Sequence, residues 1–210
     1  MINAIKGGVQ ALLFAVFLVG TAQADETPGD AAAGKVKSVI CQGCHGEDGL
    51  SVNPMCPNLA GQFPRYIEKQ IRDFQREKRV DPIMTSMAAS ITEVQDAKDI
   101  AAYFSGLKRM TGKPSNSKMA VRGEEIFRLG NPETGLYGCI NCHGDHGKGK
   151  SANNNVFPII GGQTKAYLMK QLKDMRSGER SNDPAGMMGN IAKKMTDEEI
   201  EAVAEYESEQ

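Results

Sequence analysis

The phrase CQGCHGEDG at Cys41–Gly49 returns as CINCHGDHG at Cys139–Gly147, 98 residues later. Nothing else in the chain limits its fold as strongly, because the duplication continues on both sides. GQFPRYIEKQIRD (Gly61–Asp73) is matched by GQTKAYLMKQLKD (Gly162–Asp174), MTSMAASITE (Met84–Glu93) by MGNIAKKMTD (Met188–Asp197), and IAAYF (Ile100–Phe104) by VAEY (Val203–Tyr206). Four blocks recurring in one order make a tandem repeat of a single domain. MTGKPSNSK (Met110–Lys118) lies between the copies and has the composition of a linker. The expected domains are residues 28–110 and 118–210, joined by 111–117. A domain this small is short of apolar core when its own side chains are the sole supply.

The local patterns are helical. PRYIEKQIRDFQREK places Tyr66, Ile67, Gln70, Ile71 and Phe74 at helical spacing. Thr92-x-x-Gln95 and Thr196-x-x-Glu199 have the form of capping boxes opening a last helix in each copy. Asp30 is placed to cap a short helix through AAAGKVKSVI that delivers Cys41 and Cys44. No alternating strand pattern stands out. The expected fold class is all-α, with about three helices per copy joined by long, glycine-rich loops.

The chain opens with a lysine-bearing start, an apolar run from Ala11 to Val19 and Ala22-Gln23-Ala24 before Asp25. That order describes a secretory signal peptide, residues 1–24, cleaved from an exported, periplasmic protein. The apolar run falls short of the roughly 20 residues that a membrane span requires. Without the leader the formal charge is −2, a near balance that argues against a nucleic-acid partner.

Four of the five cysteines sit in the two repeated phrases, where Cys44 and Cys142 are each followed at once by a histidine. C-x-x-C-H in an exported chain is the attachment phrase for c-type haem. Two cysteines three apart share one side of a helical turn, where both sulfurs can form thioethers with the haem vinyl groups. The adjoining His45 and His143 then face iron as proximal ligands. A four-cysteine zinc site from Cys41, Cys44, Cys139 and Cys142, a thioredoxin-like pair and ordinary disulfides are the rival readings. None of the three explains the repeated histidines. Two covalent haems also supply the apolar interior that small domains lack.

The sixth iron position decides between carrier and catalyst. Beyond His45 and His143 the chain has only His146, so two bis-histidine haems are excluded by count. His146, three residues past a proximal histidine, reads as a loop histidine. Most methionines are packing residues, but Met84 and Met188 correspond in register, each seven residues before the last helix opens. Both are expected in loops, with Met87 and Met187 the nearest competitors. Histidine–methionine ligation raises the reduction potential and leaves both irons six-coordinate, without room for substrate. Pro57 and Pro158 also correspond. Each either accepts from a histidine Nδ1–H, fixing its tautomer, or simply stiffens a loop. Cys56 stands where the second copy has Phe157. It is read as a buried, inert thiol, since its place beside Pro57 puts it on the proximal side, wrong for a sixth ligand.

C-x-x-C-H, then P-x-(L/I)-(A/G)-G-Q, Y-x-x-K-Q, a methionine and a final I-A-A-Y helix together resemble a class I cytochrome c domain. Two in tandem behind a leader resemble the dihaem cytochrome c4 family, over essentially the whole mature chain. The resemblance implies two all-α domains, pseudo-twofold related, with haem propionates close together at their interface. It implies Cys41, Cys44, His45 and Met84 at one haem, and Cys139, Cys142, His143 and Met188 at the other. The implied work is periplasmic electron transfer from a quinol-oxidising complex or a dehydrogenase towards a haem–copper terminal oxidase, with peripheral membrane association left open. Two departures stand out: Cys56 in place of an aromatic, and six extra residues between histidine and methionine in the second copy. The rival functions are a dihaem enzyme (a peroxidase or sulfur-compound dehydrogenase) with one open iron, and a cytochrome subunit dedicated to one dehydrogenase.

Overall fold

The computed structural model describes residues 27–115, 117–151 and 156–210. The expected signal peptide and part of the linker lie outside the described residues. The first half runs α1 (Ala31–Lys37), α2 (Val39–His45), α3 (Pro64–Gln75), α4 (Pro82–Ala89) and α5 (Val94–Gly106). The second half runs α6 (Lys118–Leu129), α7 (Ile140–His143), α8 (Lys165–Ser177), α9 (Met187–Ala192) and α10 (Asp197–Ser208). Among the described residues there is no strand, and one isolated bridge joins Asn131 to Leu136. The all-α expectation holds, with short helices added to the three longer stretches of each half. No helix among the described residues is long and apolar enough to cross a membrane.

Asp30 caps α1 as expected, accepting from the amides of Ala32 (2.8 Å) and Ala33 (3.2 Å). Glycine then sets how closely the first and last helices of each half cross. A β-carbon on Gly34 would stand 1.9 Å from the Asp99 carbonyl oxygen, and one on Gly123 2.0 Å from that of Ala202. Lys37 is paired with Asp96 and Asp99 beside the first of these crossings. Ile67, Ile71, Phe74, Ala97, Ile100 and Phe104 form the first core. Ile126, Leu136, Met195, Ile200 and Val203 form the second.

The two capping boxes part company. In α10 the box is complete: the Glu199 amide donates to Thr196 Oγ1 (3.2 Å), and the Thr196 amide to Glu199 Oε2 (2.9 Å). In α5 the helix begins one residue later, with Glu93 at the cap and no side-chain capping bond. Gln95, needed for the box, is instead drawn to the Pro28 carbonyl (3.0 Å) and to Asp99 Oδ1 (2.8 Å). A buried, ion-paired aspartate outcompetes a surface cap.

The halves exchange equivalent bonds. Gln62 donates to the Ile159 carbonyl (2.7 Å) and accepts from the Ile159 amide (3.0 Å). Gln163 does the same to Asn58, at 2.9 Å and 2.8 Å. Arg79 donates to Tyr167 Oη (2.9 Å) and Gln171 Oε1 (2.8 Å). Arg180 answers with Tyr66 Oη (3.1 Å) and Gln171 Oε1 (2.7 Å). Phe63, Met110 and Ile159 fill the apolar centre of this seam, so the chain stays packed at the very start of the stretch that reads as linker. Replacing Gln62 with alanine strands two buried backbone groups, an expected loss of about 1–3 kcal/mol. Chemical denaturation of the Gln62→Ala/Gln163→Ala protein measures it, and an unchanged midpoint would contradict this account of the seam.

Candidate functional site

Each C-x-x-C-H phrase is a helix end. Cys41, Cys44 and His45 lie on α2, which stops at Gly46 (φ +80°), where a β-carbon would stand 2.4 Å from the Leu50 carbonyl oxygen. In the second half Cys139 sits at the N-cap of α7, Cys142 and His143 lie within it, and Gly144 (φ +78°) ends it. The left-handed glycine lets the chain double back immediately after the histidine. Cys41 and Cys139 turn half inward, against their respective cores, while Cys44 and Cys142 are exposed.

The histidines are the buried members, His45 at 4 % exposure and His143 at 5 %. His45 Nδ1–H donates to the Pro57 carbonyl (2.8 Å), and His143 Nδ1–H to the Pro158 carbonyl (2.9 Å). The prolines therefore do more than stiffen loops. With the proton fixed on Nδ1, each Nε2 keeps its lone pair for a metal. Burial holds both imidazoles below the usual histidine range, against the opposing pull of the prolyl carbonyls, so neutral, ligating forms prevail.

Met84 and Met188 are not in loops. Met84 lies in the first turn of α4 and Met188 in that of α9. The sequence disguises this because both segments open with Asp-Pro, which reads as a turn. Asp81 is the cap of α4 and accepts from the Met84 amide (3.0 Å); Asp183 precedes a 3-10 turn (Pro184–Gly186) ahead of α9, yet its side chain reaches forward to accept from the Met188 amide (2.7 Å). Pro82 occupies the first turn of α4, where its missing N–H costs nothing. Met84 packs half-buried against the core that also receives Cys41. Met188 is half-buried, while Met87 and Met187 are each 37 % exposed.

Of the remaining candidates, His146 is engaged by the C-terminal helix, and Cys56 lies beside Cys44. His146 has a positive φ of 50° and is bound through Nδ1 to Gln210 Oε1 (2.7 Å) and Tyr206 Oη (3.2 Å). Cys56 is half-buried rather than enclosed; burial and the nearby Cys44 push its thiol upward. The five cysteines are unpaired, and among the described residues no three His, Cys, Asp or Glu side chains converge as a zinc site would require.

The donor set suits a haem. Two sulfurs on one turn, an imidazole with a free Nε2, and a half-buried thioether recur in each half. The seam between the halves adds Arg79 and Arg180, whose side-chain hydrogen bonds all go to neutral partners (Tyr66, Tyr167, Gln70, Gln171 and Asn182). Although burial works to raise the Tyr167 hydroxyl, these two cations pull it below the usual tyrosine range.

The family model for cytochrome c matches residues 31–108 and again 120–206. The chain is 40 % identical over 197 residues to cytochrome c4 of Pseudomonas aeruginosa, covering 93 % of this chain and 94 % of that one. The chain belongs to the cytochrome c4 family. The crystal structure of reduced recombinant cytochrome c4 from Pseudomonas stutzeri superposes with a TM-score of 0.80 at 39 % identity, over 86 % of this chain and 98 % of that one. A further relative in sequence is the thiosulfate dehydrogenase electron acceptor of Thiomonas intermedia, 36 % identical over 184 residues, covering 85 % of this chain and 82 % of that one. As a member with two cytochrome c domains, the chain carries two covalently attached haem c groups, for which both C-x-x-C-H phrases are fitted.

The seam is not legible in the sequence: Tyr66/Tyr167 and Gln70/Gln171 recur, but Tyr66 and Gln70 stand at helical spacing with Ile67, Ile71 and Phe74 and read as one helix face. Arg79 and Arg180 stand five residues before Met84 and eight before Met188, and gave no signal of their own.

Proposed function

We propose that this protein is a periplasmic electron carrier in which residues 28–110 and 118–210 each hold one six-coordinate haem. Cys41, Cys44, Cys139 and Cys142 would form the thioethers, His45 and His143 would ligate through Nε2, and Met84 and Met188 would close the opposite faces. The observation that carries this reading is the histidine–proline bond repeated in both halves, at 2.8 Å and 2.9 Å, which fixes each imidazole for ligation. When bound, haem supplies a one-electron centre whose ligation changes little between oxidation states. The chain's residues do the rest. The prolyl carbonyls hold the imidazole tautomers, Arg79 and Arg180 bind propionate charge, and the glutamine clamps keep the two halves in one register.

Its partners are redox proteins: a quinol-oxidising complex or a dehydrogenase as donor, and a haem–copper oxidase as acceptor. The likeness to a thiosulfate dehydrogenase electron acceptor favours a second reading, service to one sulfur-compound dehydrogenase. Stopped-flow reduction of the holoprotein by a quinol-oxidising complex and by a thiosulfate dehydrogenase separates the two. The carrier reading expects two electrons accepted per chain and no turnover of peroxide or thiosulfate by the protein alone. Such turnover would overturn it in favour of a dihaem enzyme.

A further inference from the structure

Position 207 breaks the correspondence between the halves. The Phe104 carbonyl accepts from the Gly61 amide (2.9 Å) and the Glu207 carbonyl from the Gly162 amide (2.7 Å), so the two residues hold equivalent places on α5 and α10. Phe104 is fully buried in the core that Cys41 and Met84 pack against. Glu207 is as deeply buried, at 0 % exposure, and neither carboxylate oxygen has a hydrogen-bond partner among the described residues. A β-carbon on Gly147 would stand 2.0 Å from Glu207 Oε2, so the carboxylate lies against the loop that leaves His143.

The charged and titratable groups facing it come from three elements. Lys148 lies in that loop, its Nζ held by the carbonyls of Met110 (3.3 Å) and Gly161 (3.2 Å), with Arg109 donating to the Lys148 carbonyl behind it (3.2 Å). Cys139 faces it from the attachment segment and Tyr206 from its own helix. Burial pushes the Glu207 carboxyl up to about 8, against the downward pull of Lys148. The Cys139 attachment point lies within reach of the Glu207 charge.

We propose that Glu207 is a redox-linked proton acceptor for the second haem, taking one proton from solvent as that iron gains one electron from a redox partner. The proposal rests on the reading of Cys139, Cys142 and His143 as that haem's anchors. An electron arriving at the iron removes one unit of positive charge from the neighbourhood, and an unpaired buried carboxylate then binds a proton more tightly. The new O–H bond on Glu207 is the one bond formed, and the charge of the pair is conserved. In the first half Phe104 offers no such group. Well below the titration Glu207 is neutral in both redox states, and well above it is ionised in both. Between these limits the second potential falls as pH rises.

Spectropotentiometry of the holoprotein across that pH range, with E207Q and E207F beside it, tests the proposal. The expected result is one pH-dependent potential in the parent protein and none in either variant. A carboxylic C=O band should appear on reduction in the redox-difference infrared spectrum of the parent alone. Flat potentials in the parent, or a slope that survives in either variant, would overturn it. Intact mass reports attachment separately. Two haems with flat potentials overturn the proton coupling alone, whereas a single haem overturns the anchor reading and the coupling with it.

Discussion

Replacing Met84 or Met188 with alanine is expected to open one iron, so that each reduced variant binds one carbon monoxide per molecule and the double variant binds two. The parent protein, with both thioethers in place, should bind none. Each methionine is half-buried in the first turn of a short helix whose amide end is fixed by an aspartate, Asp81 or Asp183. Such an anchored side chain meets the iron at little entropic cost, and its loss removes the ligand that raises the potential. The potential of the affected haem should therefore fall while that of the other stays. Met87→Ala and Met187→Ala alter side chains that are each 37 % exposed and should bind no carbon monoxide. Carbon monoxide binding by these two, and not by Met84→Ala and Met188→Ala, would move the ligand assignment to them.

Gly34→Ala and Gly123→Ala are expected to be costly methyl additions, each at a helix crossing. Each new β-carbon would stand about 2 Å from a backbone carbonyl oxygen of the partner helix, Asp99 or Ala202, and backbone cannot swing aside. Overpacking of this kind costs about 1–3 kcal/mol, occasionally more. The damage should spread to haem incorporation in the first half, because α1 runs through Ser38 into α2, which carries Cys41, Cys44 and His45. Gly43, also helical, has nothing within 4 Å of its added carbon, so Gly43→Ala should stabilise by about 0.5–1 kcal/mol. Thermal unfolding of the three variants measures the contrast. Equal midpoints for Gly34→Ala and Gly43→Ala would contradict the close-crossing account.

The residues that announced the sites were those whose chemistry is local. C-x-x-C-H, the following glycine and the paired prolines all act within a short stretch of chain, and the duplication removed most ambiguity. What stayed hidden depends on residues distant in sequence. Tyr66 and Gln70 read as members of one helix stripe, and contact with Arg79, Arg180 and Asn182 explains why two of that stripe's members are polar. Thr92 had the form of a cap but lost Gln95 to Asp99, a buried partner that spacing does not reveal. Asp-Pro before Met84 and Met188 suggested loops, although the same pair is also a helix start. Glu207 looked like one more acid in an acidic terminal helix. It is buried because it holds the place of Phe104 in the first half.

The claim that both irons carry a histidine and a methionine is tested most directly by the far-red sulfur-to-iron charge-transfer band of the ferric protein, quantified per haem. Intensity matching two methionine-ligated haems is the predicted result. Intensity for one haem, or for none, would contradict it, leaving an open or differently ligated iron and a dihaem enzyme as the better description.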